Sequence, residues 1–272
     1  MKDILVPLDT TDICKLRLDA ALNLADRFDS HVTGFYEERS IDYVLYGESY
    51  SAAFAETLEQ QLEQENKAVT DVFNDCVKTR AAKCTLKIEK PARRRDVFAQ
   101  ANISDLVVAG QLDPEKHIYG VKHHPEHFVM DSGKPVLIVP YIGFPQSMGK
   151  NIMIAWDQSK EASRAVHDAM PLLRKAENVH VFSVVDKKVG ENEVVAADIA
   201  EHLSRHDVNV NTQPLLHADV PVAETLLSRA ADADIDLIVM GAYGHSRLRE
   251  YTLGGTTRTI LESMTIPVLM TH

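Results

Sequence analysis

The chain has 272 residues, 45% of them hydrophobic and 25% charged, with a net charge of −11. That is the size of one large domain or two ordinary ones and the composition of a globular protein. The acidic balance argues against a sequence-independent nucleic-acid binder, which needs a basic face for phosphates. No apolar run approaches the ~20 residues of a membrane span.

Met1-Lys-Asp-Ile-Leu-Val-Pro-Leu-Asp9 reads as a strand and a turn, without the charged head and apolar middle of a signal peptide. A cytoplasmic location is expected, with neither nucleic-acid nor membrane partners. Cys14, Cys76 and Cys84 are odd in number and scattered, which suggests no disulfide framework and no metal knot. A helix follows the first strand, with Leu18, Ala21, Leu22 and Ala25 on one face, and then a second strand from His31 to Tyr36. Ile41 to Ser51 is Tyr-rich and irregular. A long helix is expected from about Phe54 to Ala82, with Leu58, Leu62, Val69, Phe73, Cys76 and Val77 on an apolar stripe and Glu56, Glu59, Glu63 and Glu65 opposite. It reads as a cover for sheet and solvent, with a partner-binding or dimer-contact role left open. Lys90 to Arg95 reads as a solvated basic loop and helix start.

Next come a strand in Ser104-Asp-Leu-Val-Val-Ala-Gly110 and a histidine cluster, His117, His123, His124 and His127. Pro125 argues against a helix interior there, so a metal site is not assigned. Lys134-Pro-Val-Leu-Ile-Val139 closes the first half, and the Gly- and Pro-bearing stretch 141–149 reads as a linker.

Shifted by 148 residues, the chain matches itself: Lys2–Asp9 lies on Lys150-Asn-Ile-Met-Ile-Ala-Trp-Asp157. A helix with Ala162, Ala165, Val166, Ala169 and Leu173 on one face follows, then a strand from Val179 to Val185. A helix of roughly Glu193 to His206 answers the long helix of the first half. Ile235-Asp-Leu-Ile-Val-Met-Gly241 parallels 104–110, and Ile266-Pro-Val-Leu-Met270 parallels 134–139. Short Val-, Ile- and Leu-rich strands alternating with helices predict a doubly wound α/β fold with parallel sheets. The expected domains are 1–140, a linker at 141–149, and 150–272. A homodimer is left open.

The chemistry concentrates in Gly241-Ala-Tyr-Gly244 and Gly254-Gly-Thr-Thr257. A strand leads into the first pair and a helix, Thr256 to Met264, follows the second. Gly241 and Gly244 are expected to supply φ > 0 and close backbone approach. Gly254 and Gly255 leave helix N–H groups for an anion, with hydroxyls from Thr256 and Thr257. His245, Arg247 and Arg249 add cationic or polar groups, and Asp157 at the same edge suits a ribose hydroxyl, an adenine amino group or a metal on the phosphates. The loop is neither a Walker A motif nor a dinucleotide fingerprint.

The spacing G-x2-G-x9-G after Asp-Leu-Ile-Val-Met-Gly, the first strands ending in Asp, and the closing Ile-Pro-Val-Leu-Met resemble the universal stress protein family, as two tandem domains. The resemblance implies two flavodoxin-like domains, each a mainly parallel five-stranded sheet flanked by helices, with their last strands, Val136–Val139 and Pro267–Met270, paired within the chain, and ATP binding, with or without Mg²⁺, where the glycine motif is intact. It places Ala155 and Asp157 near base and ribose, Val184 against the adenine, Met240, Gly241 and Gly244 at ribose and phosphate, and Gly254, Gly255, Thr256 and Thr257 at the phosphates. Gly255 departs from the Ser or Thr frequent in the family, and Trp156 is bulky where a small polar residue is common.

The first half departs further: Asp113 stands where the second glycine belongs, and Asp131-Ser-Gly133 does not rebuild Gly-Gly-Thr-Thr. One competent site is expected, in the second half, serving a stress-response or regulatory role. No catalytic residue is assigned, since hydrolysis needs a positioned water and charge at the γ-phosphate. A partner-recruiting scaffold and a slow ATP hydrolase are the competing readings.

Overall fold

The strands are short, most of them apolar, and helices alternate with them along the chain. The computed structural model describes residues 1–38, 52–90, 97–115, 124–184, 192–215, 221–244 and 255–272. These residues form two compact units, one taking Met1–Val108 and the other running from Ala109 to His272.

In the first unit, β1 (Asp3–Pro7) leads to α1 (Cys14–Phe28), β2 (His31–Glu37), α2 (Ala52–Val77), β3 (Lys83–Glu89), α3 (Val97–Ala101) and β4 (Leu106–Gly110). The strand order is β3-β2-β1-β4, with β2–β3, β1–β2 and β1–β4 all parallel. Leu18, Ala21, Leu22 and Ala25 are buried on α1, as their spacing requires. Asp29 ends that helix in the left-handed region at φ 49°.

The long helix α2 stops at Val77, five residues before the expected end, and β3 starts at Lys83. Val69, Phe73 and Cys76 are its buried residues, and residues 56–68 carry no buried side chain. Phe73 packs so closely on β2 that a Cβ at Gly34 would lie 2.7 Å from its ring. The irregular stretch 41–51 and the arginines at 93–95 lie outside the described residues.

The second unit holds α4 (Pro125–Asp131), β5 (Val136–Val139), β6 (Asn151–Trp156), α5 (Lys160–Leu173), β7 (Asn178–Val184), α6 (Asn192–Ser204), β8 (Val210–Leu215), α7 (Val222–Asp232), β9 (Leu237–Gly241), α8 (Gly255–Ser263) and β10 (Val268–Thr271). Its order is β5-β10-β9-β6-β7-β8. All pairs from β10 to β8 are parallel, and β10 meets β5 antiparallel, with Val136 opposite Met270 and Ile138 opposite Val268. The order β8-β7-β6-β9 thus repeats β3-β2-β1-β4, as the internal repeat predicts. Pro214 is tolerated in β8 because that strand is at the edge.

The compact units do not part at 141–149, where composition puts the linker. The antiparallel pairing of β5 with β10 carries residues 136–139 into the second unit, a non-local contact that local Gly and Pro content does not register.

One aspartate serves the same purpose in each unit. Asp236 is 3% exposed, and its carboxylate accepts the backbone N–H groups of Gly149 (2.8 Å), Lys150 (3.1 Å) and Asn151 (3.2 Å), which fixes the entry into β6. Burial pushes its carboxyl above the usual range, against the pull of those donors. Asp105 likewise accepts from Lys2 and Asp3 at the entry to β1.

Candidate functional site

In the second unit β6 lies between β7 and β9, so the chain leaves β6 in one direction and returns on its other side. The carboxyl ends of β6 and β9 therefore flank a topological switch point, where open α/β sheets hold ligands. Asp157 follows β6 there and is exposed. Its Oδ1 accepts the Ser159 N–H at 2.9 Å, and Ser159 caps α5 by accepting the Ala162 N–H at 3.1 Å. Gln158, between them, is left-handed at φ 64°. The loop is thus prefolded, with a carboxylate held at the sheet edge.

The turn after β9 is built differently from the sequence expectation. Gly241 and Gly244 are not in the left-handed region; Tyr243 is, at φ 63°. A Cβ at Gly241 would lie 2.5 Å from the Ala162 nitrogen and 2.6 Å from the Glu161 carbonyl carbon. Gly241 is therefore glycine because the first turn of α5 crosses it, not because φ must be positive. A Cβ at Gly244 would meet the Glu161 carboxylate at 2.9 Å. Glu161 is only 5% exposed and pairs with Lys160 Nζ at 3.7 Å. A buried carboxylate thus backs the glycine turn, and periodicity gave no sign of it beyond an acidic residue in a first helical turn.

Tyr243 is half-buried, and its ring meets His272 edge-on at 6.0 Å. Burial, with the charge of Glu126, pushes its phenol up to about 12. His272 Nδ1 lies 3.0 Å from the Ala242 carbonyl, which fixes the turn from its other side.

Of the remaining expected residues, Ala155 and Met240 are buried at the ends of their strands. Val184 ends β7, with its side chain outside the described residues. Gly255 is exposed and opens α8, and a Cβ added there would have nothing within 4 Å. Thr256 is half-buried and Thr257 is 4% exposed. Arg247 and Gly254, with His245 and Arg249, lie outside the described residues. Trp156 is half-buried.

The matching place in the first unit is closed by the protein's own cation. Arg17 is 6% exposed and its guanidinium reaches Asp9 Oδ2 at 2.7 Å. Asp9 Oδ1 also accepts the Thr11 N–H at 2.9 Å. Burial raises the neighbouring Cys14 thiol above its usual range. Under the 148-residue shift Arg17 falls on Ala165, so this buried arginine is not repeated in the second half of the sequence. The repeat could have revealed it, as a lone arginine on an otherwise apolar helix face. Downstream, Asp113 Oδ1 accepts the Glu115 N–H at 3.0 Å, and Gln111 is buried, its side-chain amide donating to the Leu261 carbonyl at 2.8 Å. That bond satisfies an orphan carbonyl near the end of α8.

Among the histidines of the 117–127 cluster, His124 precedes α4 and His127 lies in it, with Pro125 at its first turn and ring centroids 5.6 Å apart. His117 and His123 lie outside the described residues. No group of three or more metal-ligating side chains occurs among the described residues.

Residues 148–272 match the model of the Universal stress protein family. A universal stress protein of Synechocystis sp. is 46% identical over 46 residues, 17% of this chain and 16% of that protein, so the match spans a small part of that relative's length. A crystal structure of a universal stress protein from Archaeoglobus fulgidus superposes with a TM-score of 0.71 at 15% identity, covering 99% of this chain and 97% of that one. A Pseudomonas aeruginosa protein assigned to the same class gives a TM-score of 0.60 at 16% identity, covering 100% and 93%. At such identities the two structures share the fold, an α/β architecture with a mainly parallel sheet and flanking helices.

Proposed function

We propose that residues 150–272 are a universal stress protein domain that binds an adenine nucleotide, ATP with or without Mg²⁺, and that residues 1–140 are a second, tandem copy that has lost its ligand. The observation that carries this reading is the contrast between two aspartates. Asp157 is exposed at the β6/β9 switch point, whereas the side chain of its counterpart Asp9 is 18% exposed and packs on the buried Arg17, where the second half has Ala165. A ribose or base donor suits the Asp157 carboxylate, and the phosphates suit the open N-terminus of α8 at Gly255 and Thr256. The buried Glu161 repels phosphate from the turn at Gly241 and Gly244, so those glycines serve the ribose end of the ligand.

The role is binding and regulation in the cytoplasm rather than turnover. Hydrolysis needs a group that orients water at the γ-phosphate, and Asp157 already accepts the Ser159 N–H.

Calorimetric titration of the whole chain with ATP tests the reading. One site per chain is expected. Asp157→Ala should weaken binding by about tenfold or more, the loss of a hydrogen bond to a charged group. Gly244→Val should weaken it as well, with the circular dichroism of both variants unchanged. Absence of binding by the unaltered chain, or variants that bind as tightly as the unaltered chain, would discard the proposed site.

A further inference from the structure

The end of α6 offers a separate chemistry that does not depend on nucleotide binding. Helical hydrogen bonding continues past Ser204. Arg205 N–H donates to the Glu201 carbonyl at 3.1 Å and His206 N–H to the Leu203 carbonyl at 2.9 Å. Asp207 then turns left-handed at φ 61°, and the Val208 N–H returns to the Leu203 carbonyl at 3.2 Å. This is a Schellman-type closure, in which a hydrophobic contact commonly accompanies the backbone bonds. Leu203 and Val208 are 0% and 5% exposed, so the turn is anchored in the core.

On this fixed turn His202 and His206 stand four residues apart, on one helix face. Both are exposed, with ring centroids 4.8 Å apart and planes at 62°. We propose that His202 and His206 together chelate a divalent first-row transition-metal ion, Zn²⁺, Ni²⁺ or Cu²⁺. Imidazole nitrogen suits these ions, and metal–nitrogen bonds of about 2.0–2.1 Å put the two donor nitrogens roughly 3 Å apart. Rings whose centroids are already 4.8 Å apart reach that spacing by side-chain rotation, without backbone movement. With no third ligating side chain grouped there among the described residues, water fills the other positions, which makes the site open and exchangeable rather than a closed structural one. Arg205, the nearest cation in sequence, is drawn along the neighbouring stripe to Glu201. The pair His124 and His127 is less apt: its centroids are 5.6 Å apart and His124 precedes its helix.

The full-length chain, stripped of metal, is titrated with Zn²⁺ by calorimetry, and its imidazole ¹⁵N resonances are followed as Ni²⁺ is added. The unaltered chain is expected to show a binding event that broadens the His202 and His206 resonances together. His202→Gln and His206→Gln should each weaken that event by about tenfold or more, as loss of groups supporting a metal site does, while His124→Gln leaves it in place. Both rings are exposed, so folding is retained, and circular dichroism checks this. An unchanged isotherm in the His202→Gln/His206→Gln double variant overturns the proposal. So does a Zn²⁺ event that vanishes only with His124→Gln, or the absence of any event in the unaltered chain.

Discussion

Gly241 and Gly244 look alike in sequence and are held to glycine for different reasons. At Gly241 an added Cβ meets helix backbone at 2.5 Å, and backbone cannot step aside. Gly241→Ala is expected to cost about 1–3 kcal/mol, the range for overpacking. At Gly244 the obstacle is the end of the Glu161 side chain at 2.9 Å, which can rotate, so Gly244→Ala should cost less than Gly241→Ala. Urea unfolding of the two variants ranks them, and equal midpoints would contradict the distinction. The sequence could not separate these causes, because a close ligand and a close helix both ask for a missing Cβ. Between the glycines, Tyr243 bears a phenol whose pKa is moved from 10.0 to about 12, by burial first and by Glu126 second. Its folded pKa is the higher one, so between those values the folded state binds more protons than the unfolded state. The contribution to stability is whole below about pH 10 and declines as pH rises towards 12. A spectrophotometric titration at the phenolate band should show a late-titrating tyrosine that disappears in Tyr243→Phe. A complete phenolate transition centred at the ordinary tyrosine value would refute the shift.

Helices α1 and α5 occupy equivalent places after equivalent strands, and they differ in their buried charges, Arg17 in α1 and Glu161 in α5. Their apolar stripes were legible from spacing alone: Leu18, Ala21, Leu22 and Ala25 in one, Ala162, Ala165, Val166, Ala169 and Leu173 in the other, all buried as expected. The element ends were less so. Helix α2 stops at Val77, and β3 follows as Lys83-Cys-Thr-Leu-Lys-Ile-Glu89, whose strict polar–apolar alternation was there to mark a half-buried strand. Arg17 was not legible in the stripe at all, since periodicity sorts apolar from polar and cannot foresee an internal partner for a buried cation. Asp9 is that partner at 2.7 Å, with side-chain exposures of 7% for Arg17 and 18% for Asp9. Removing one member of a buried pair strands the other, at a typical cost of about 3–5 kcal/mol. Arg17→Ala should therefore approach that loss, somewhat reduced because Asp9 keeps some contact with water. Asp9→Asn/Arg17→Met should recover part of it, because the uncompensated charge goes with the pair. Both follow from denaturant midpoints at constant m-value. A double variant no more stable than Arg17→Ala would show that the pair is not the source of the loss.

At the scale of the whole molecule, the strand that closes the first half of the sequence completes the second compact unit. The pairing of the two closing strands, Val136–Ile138 with Val268–Met270, could be read from the family resemblance, in which a tandem chain joins its last strands internally. The division of the chain could not, because Gly and Pro at 141–149 mark a loop and say nothing of the ladder on either side of it. The consequence concerns where the chain can be cut. A fragment of residues 150–272 has the family match almost to itself, yet it leaves β10 with one bare edge along Val268, Leu269 and Met270, residues that are at most 1% exposed in the intact chain. Such an apolar edge is a template for pairing with another copy. A fragment of residues 109–272, the whole of the second compact unit, covers that edge with β5 and keeps the Gln111 N–H bond to the Val139 carbonyl (2.8 Å) on the other side of β5. Sedimentation velocity at matched concentrations should therefore find 150–272 self-associated and 109–272 predominantly monomeric. Monodisperse, equally stable monomers from both fragments would mean that β5 is an accessory to the second unit, and that the boundary written in the loop composition is the one that governs folding.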